Sequence, residues 1–169
     1  MNGRIAALAV LLTLAATACG EPTSEEERYL ESVAVITAAY QAEVEALPAA
    51  STGGDPADAA AFFIGVGEAS ETARAAIVAL EPVEDLAGPH LSFAASVAEF
   101  ARLSGRIAIG GRSLETQADL LAMANDPVIG VANFNAAAER MVDTCRHLQQ
   151  AGAEGGTEVD LGCSGLGRG

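Results

Sequence analysis

The chain lacks lysine and tryptophan, and it has few aromatic residues or histidines. All nine basic residues among its 169 are arginines, 4% of the residues are aromatic, and there are two histidines. Without lysine there is no Gly-x-x-x-x-Gly-Lys phosphate loop. Neither a Gly-x-Ser-x-Gly segment nor a Cys-x-x-Cys-His segment occurs. We therefore expect a protein that is not an enzyme and that carries no cofactor.

Positive charge is scarce. The chain has 23 acidic residues and a formal net charge of −14. All of the carboxylates follow residue 19, whereas Arg4 precedes it, so the part after residue 19 carries about −15. Binding to nucleic acid needs a basic face that neutralises phosphates. We therefore expect no nucleic-acid partner and no direct adhesion of the folded domain to anionic lipid headgroups.

Residues 1–18 have the three-part layout of a secretory signal peptide. Residues 1–4 form a short segment with a positive charge, residues 5–14 are apolar apart from one threonine, and residues 15–18 have small side chains. The uncharged stretch is too short to cross about 30 Å of hydrocarbon as a permanent helix. Export followed by cleavage is the favoured interpretation.

The end of this segment, Ala16-Thr17-Ala18-Cys19, resembles the lipobox of bacterial lipoproteins. The resemblance implies that the Cys19 thiol is diacylated, that the chain is cut before Cys19, and that the protein is anchored on the extracytoplasmic face of the cell membrane. Two or three acyl chains on one residue suffice for stable anchoring. Ala16 stands where the family usually has leucine, and the alternative is an ordinary signal peptide in which Cys19 is a bystander.

The other two cysteines, Cys145 and Cys163, form an even pair in the oxidising compartment that export implies. We expect a disulfide bond, which would stabilise the fold by about 3 kcal/mol if it acts through chain entropy. The alternatives are two free thiols, or Cys145 as a nucleophile. His147 lies only two residues from Cys145, so on a helix the two side chains point to different faces.

Apolar residues recur every three or four positions and predict four helices. The helices are expected over 24–47, 56–80, 89–124 and 127–152. Short connections and single apolar faces favour an all-α fold, an antiparallel four-helix bundle with a disulfide-tethered C-terminal tail. The predicted organisation is a signal peptide (1–18), a lipidated tether (19–23), the bundle (24–152) and a Gly-rich tail (153–169).

The third helix shows the clearest periodicity. Its large apolar residues are spaced by seven: Phe93, Phe100, Ile107, Leu114 and Leu121. The heptad phase continues through Gly110 and Gly111, so we expect one long helix, with a kink at the glycines as the alternative. We also expect the tail to fold back so that Cys163 reaches the bundle, and the residues from Ser164 onward to be disordered.

Few residues are candidates for ligand chemistry. Asp143 and His147 are four residues apart, share a helix face and are weak metal-ligand candidates; a solvated pair is the alternative. His90, a further metal-ligand candidate, begins the third helix, where it either orients the connector or projects into an open end of the bundle. The glutamates at 25–27 and Glu31 form an acidic cluster that attracts cations or simply begins a solvated helix.

These observations favour a membrane-anchored, extracytoplasmic lipoprotein whose domain is a non-enzymatic binding or structural module. Its expected contacts are the membrane, through lipid on Cys19, and a protein or cell-envelope partner. A helical bundle that binds a metal or small ligand is the alternative function. The mature domain also resembles small helical lipoproteins of bacteria, a general likeness that implies no activity.

Overall fold

The computed structural model describes residues 24–48 and 55–167. These residues form five α-helices: α1 (Glu25–Glu45), α2 (Pro56–Val78), α3 (Ala87–Gly111), α4 (Gln117–Ala124) and α5 (Val131–Glu154). Two short 3-10 helices span Glu84–Leu86 and Cys163–Gly165. No strand occurs within the described ranges, so the all-α prediction is confirmed.

Local capping explains where α1 and α2 begin. The backbone N–H of Glu27 donates to the Ser24 side-chain oxygen at 3.0 Å, and the N–H of Ala57 donates to the Asp55 carboxylate at 2.9 Å. Each bond satisfies one of the free donors of a helix N-terminus. Pro56 occupies the first turn of α2, where its missing N–H costs nothing. Both helices end two residues before the predicted positions.

The third helix ends at Gly111, so the prediction of one helix continuing through Gly110 and Gly111 is wrong. Each glycine costs about 1 kcal/mol relative to alanine inside a helix. A capping box then starts α4. The Thr116 side chain accepts the N–H of Asp119 at 3.2 Å, and the Asp119 carboxylate accepts the N–H of Thr116 at 2.9 Å. Residues 112–116 are consequently a connection between two helices.

The fourth predicted helix corresponds to α5. This helix begins at Val131, so its predicted start at Pro127 is wrong. Residues 127–130 form a turn instead, because the Asp126 carboxylate accepts the backbone N–H groups two and three residues on, at 2.7 and 2.9 Å. These bonds hold the pKa of Asp126 below its usual range. A β-carbon at Gly130 would overlap the Asp126 carbonyl oxygen, so the turn requires glycine.

Four of the helices pack as the predicted antiparallel bundle, with α1 against α2, α2 against α3 and α3 against α5. The start of α1 meets the end of α5, where Leu30 lies against Gly152. A β-carbon at Gly152 would come within 2.5 Å of the Leu30 Cδ1 atom, so this close approach depends on glycine. The short α4 corresponds to the end of the predicted third helix, which the structure separates from α3.

The heptad seam of α3 is buried only as far as the helix extends. Phe93, Phe100 and Ile107 are 1–2% exposed and form the centre of the core. Leu114, in the connection, is half-buried, and Leu121 on α4 is 47% exposed. The break at Gly111 therefore removes the last two residues of the repeat from the packed seam.

The C-terminal tail lies between α1 and α5 and completes the core. Leu161, Cys163 and Leu166 are all at most 5% exposed. The prediction that the chain is disordered from Ser164 onward is therefore wrong up to residue 167, because Leu166 supplies apolar surface that the bundle buries. None of the described helices is long and apolar enough to cross a membrane.

Candidate functional site

Of the three cysteines, Cys19 lies outside the described residues, and the other two are joined. Cys145 on α5 and Cys163 in the tail form a disulfide, with their Cα atoms 5.6 Å apart and a separation of 18 positions in sequence. Both side chains are buried. The predicted pairing is confirmed, and it fixes the tail to the bundle.

Side chains of α1 and α5 hold the tail by its backbone. The Thr37 hydroxyl donates to the Leu161 carbonyl oxygen at 2.5 Å, and the Gln41 amide donates to the Gly162 carbonyl oxygen at 2.6 Å. From α5, the Gln149 side-chain oxygen accepts the Leu161 N–H at 2.9 Å. Sequence reasoning missed these residues. Their signal was a polar pair at i and i+4 beside the apolar stripe of α1.

His90 is buried and is 5% exposed, so it does not project into an open end of the bundle. Its Nδ1 atom lies 2.8 Å from the Tyr29 hydroxyl oxygen on α1, within hydrogen-bond distance. Burial lowers the pKa of His90 and raises the pKa of Tyr29 to about 12. The structure therefore pairs a neutral imidazole with a protonated phenol, a contact that ties α1 to α3.

The weak metal candidates do not assemble into a centre. Asp143 and His147 are both exposed on α5, and Asp143 forms an ion pair with Arg146 at 3.6 Å. His90 is buried against Tyr29 instead of joining them. Within the described part of the chain, no three His, Cys, Asp or Glu side chains converge as a metal site would require.

The cavity beside Tyr40 shows how fully the interior is filled. It has a volume of about 10 Å³, and Thr37, Ser70 and Leu166 are among its lining residues. A space of this size holds about one water molecule. Burial raises the pKa of Tyr40 to about 12, against the smaller opposing effect of hydrogen bonding with the Ser70 side chain. The cavity offers no room for an organic ligand.

Two surface grooves are larger. One, of about 690 Å³, runs along the outside of α2 and α3 and has Ile109, Glu68, Glu71 and Arg112 on its walls. The other, of about 550 Å³, lies on α5 beside the end of the tail and has polar walls. Ile109, on the wall of the α2–α3 groove, is 70% exposed. The α2–α3 groove is therefore the more apolar candidate for an interaction site.

Tyr29, His90, Thr37, Gln41 and Gln149 thus hold the bundle and its tail together, and the two grooves are candidate surfaces for contact with other molecules. Sequence reasoning did not identify the grooves, because a groove depends on which helices become neighbours. Comparison of the chain with protein-family models, with curated proteins and with solved structures finds no match.

Proposed function

We propose that this protein is a lipoprotein of the extracytoplasmic membrane face, anchored through Cys19, and that its helical bundle is a non-enzymatic binding or structural module. The observation that carries the proposal is the position of Cys19, directly after an apolar leader that ends in small residues. Acyl chains on that cysteine would hold the bundle at the membrane surface.

The disulfide supports the proposed compartment. Structural disulfides form and persist outside the reducing cytosol. Cys145 and Cys163 are bridged and buried, and the bridge joins the tail to α5, so this tail position depends on an oxidising environment. The export signal and the bridge are separate features of the chain that favour the same location.

The use of the polar side chains supports a non-enzymatic role. His90 is engaged with Tyr29, and Thr37 and Gln41 are engaged with the tail backbone. The chain carries a formal net charge of −14, and a charge of this size keeps a module soluble and steers its association with other macromolecules. The partner would be a protein or a component of the cell envelope.

Replacing Cys19 tests the anchor. The full chain is expressed in a bacterium, and the N-terminal peptide of the membrane fraction is analysed by mass spectrometry. Wild type should begin at an acylated Cys19, whereas Cys19→Ser should leave the membrane fraction or remain uncleaved. Cys163→Ser is the matched control, since it removes a cysteine and the bridge but should keep the acylated N-terminus.

A Cys19→Ser protein that stays in the membrane after normal cleavage would contradict the anchor. Chemical crosslinking of the wild type in intact cells tests the second half of the proposal. It should link the bundle to an envelope component other than this chain, and the absence of any such product would argue against a binding module.

A further inference from the structure

The outer faces of α2 and α3 carry two parallel stripes of solvent-accessible residues. Each stripe repeats at spacings of three and four, as the contact seam of a coiled coil does. The α2 stripe is Ala61, Ile64, Glu68, Glu71, Ala75 and Val78. The α3 stripe is Ala95, Ala98, Arg102, Gly105, Ile109 and Arg112. Both helices also bury a different face in the core, so each carries a second seam that faces solvent.

The packing of α2 on α3 sets the two stripes in register. A β-carbon at Gly67 would lie 3.4 Å from both the Ala108 Cβ atom and the Ser104 carbonyl oxygen. Closer to the start of α2, Gly111 at the end of α3 lies beside Ala60. This antiparallel alignment places Ile64 level with Ile109, the glutamates level with the Gly105–Arg102 region, and Ala75 level with Ala98.

The centres of the two stripes carry opposite charge. Glu68 and Glu71 occupy the centre of the α2 stripe, and Arg102 occupies the centre of the α3 stripe, with Arg112 at its end, in a protein that is strongly acidic overall. Neither arginine forms an ion pair with a described carboxylate. Glu71 is paired only with Arg74 on its own helix, an exposed i,i+3 contact. Exposed pairs of that kind contribute little to stability, so Glu71 can exchange this partner for another at small cost.

We infer that the α2–α3 face binds the same face of a second copy of this chain. A twofold axis parallel to the groove would place α2 of one copy against α3 of the other at the same height. Glu71 then faces the partner's Arg102, and Ile64 faces the partner's Ile109, twice over. An axis across the groove would instead set the glutamates of both copies against each other, so charge selects the first arrangement.

Charge complementarity identifies the occupant as a second copy. A basic helix of another protein would match the α2 stripe and be repelled by the α3 stripe, and an acidic helix would do the reverse. A second copy satisfies both stripes at once, as isologous dimers do. Apolar residues at both ends of the stripes would supply buried area, and the central charges would fix register and partner choice.

A charge-swap experiment on the full chain, purified in mild detergent, tests the dimer by native mass spectrometry and light scattering. Wild type should be dimeric. Glu71→Arg alone brings two positive charges together, because the new guanidinium faces the partner's Arg102. Arg102→Glu alone brings two negative charges together, because the new carboxylate faces the partner's Glu71. Each single variant should raise the dissociation constant by at least about tenfold, since like charges that face each other disfavour the complex.

Two mixtures decide between this geometry and a general charge effect. The double variant Glu71→Arg with Arg102→Glu should recover dimers, and so should an equimolar mixture of the two single variants. Arg28→Glu and Glu31→Arg make the same charge changes at exposed positions on α1 and should leave the dimer unchanged. A monomeric wild type, or single variants that dimerise as well as wild type, would overturn the inference.

Discussion

At the scale of single residues, this fold combines helix caps between close neighbours with hydrogen bonds between residues far apart in sequence. The caps at Ser24 and Asp55 each join a side chain to a backbone N–H two or three positions away. The Tyr29–His90 contact joins positions 61 apart, and the Thr37–Leu161 contact joins positions 124 apart. Such pairs depend on the packing of helices and tail, which no local pattern encodes.

His90 should make stability fall on mild acidification. Its pKa is lowered in the folded state by burial, from an ordinary value of 6.5, so the unfolded chain takes up the proton more readily. The contribution of the buried His90 to the free energy of unfolding is fully present above pH 6.5. It is lost as the pH falls below that value toward the pKa of His90 in the folded state. In urea unfolding from about pH 7.5 to about pH 5.5, His90→Gln should lose less stability than wild type.

Tyr29→Phe is the matched control for the buried histidine. It removes the hydroxyl whose oxygen lies 2.8 Å from the His90 Nδ1 atom. The free energy of unfolding should fall by about 1 kcal/mol at every pH. The imidazole stays buried in this variant, so the pH dependence should persist. If His90→Gln and wild type lost stability in parallel on acidification, burial of the imidazole would not be the cause.

At the scale of elements, the tail is the part of the fold that depends on a covalent bond. It has no long helix of its own, and hydrogen bonds from Thr37, Gln41 and Gln149 hold it beside the disulfide. Replacing Cys145 and Cys163 together by alanine should lower the free energy of unfolding by about 3 kcal/mol, given the length of the closed loop. Amide exchange of residues 157–167 should accelerate at the same time.

Thr37→Val separates the disulfide from the hydrogen bonds. It removes one bond to the tail backbone and should cost about 1 kcal/mol while the bridge keeps the tail in place. Equal stability of the double alanine variant and wild type in urea would show that the bridge does not restrain the tail.

The break between α3 and α4 shows a limit of reading helices from periodicity. The apolar repeat from Phe93 to Leu121 continues in phase, and periodicity alone predicts one helix. Gly110 and Gly111 weaken a continuous helix at this point, and the capping box at Thr116 starts a new one. These local effects divide the predicted helix into α3 and α4. The same repeat correctly identified the core residues on the part that is helical.

At the scale of the whole molecule, composition and periodicity were enough to predict an antiparallel helical bundle. Which helix packs against which became clear only from the structure. The stripe facing solvent on α3 was not recognised in the sequence, since a seam with arginine and glycine among its residues looks like an ordinary exposed face. The proposed role of this stripe in dimer contact depends on α2, which lies beside α3 and carries the opposite charge at its centre.

Net charge should make the stability of the entire domain depend on salt. The part after residue 19 carries about −15, and self-repulsion of like charges opposes the compact state. Raising NaCl from about 0.01 to about 0.15 M shortens the screening length from about 30 to about 8 Å. The melting temperature should therefore rise.

Equal concentrations of KCl and NaCl should act alike, because screening depends on ionic strength and not on the identity of the cation. A larger effect of Mg²⁺ at matched ionic strength would instead indicate cation binding, with the glutamates at 25–27 as the first place to examine. A melting temperature that does not change with salt would contradict self-repulsion as a significant term.

The antiparallel layout brings the start of α1 and the end of α5 to one pole of the bundle, where Gly155 lies beside Glu26. The 3-10 helix Glu84–Leu86 also contacts α5, and it presents two more exposed carboxylates. With lipid on Cys19, this acidic pole would be the one nearest the bilayer. Anionic headgroups would then repel the domain that the acyl chains retain, and the long axis of the bundle would tend to stand upright on the membrane.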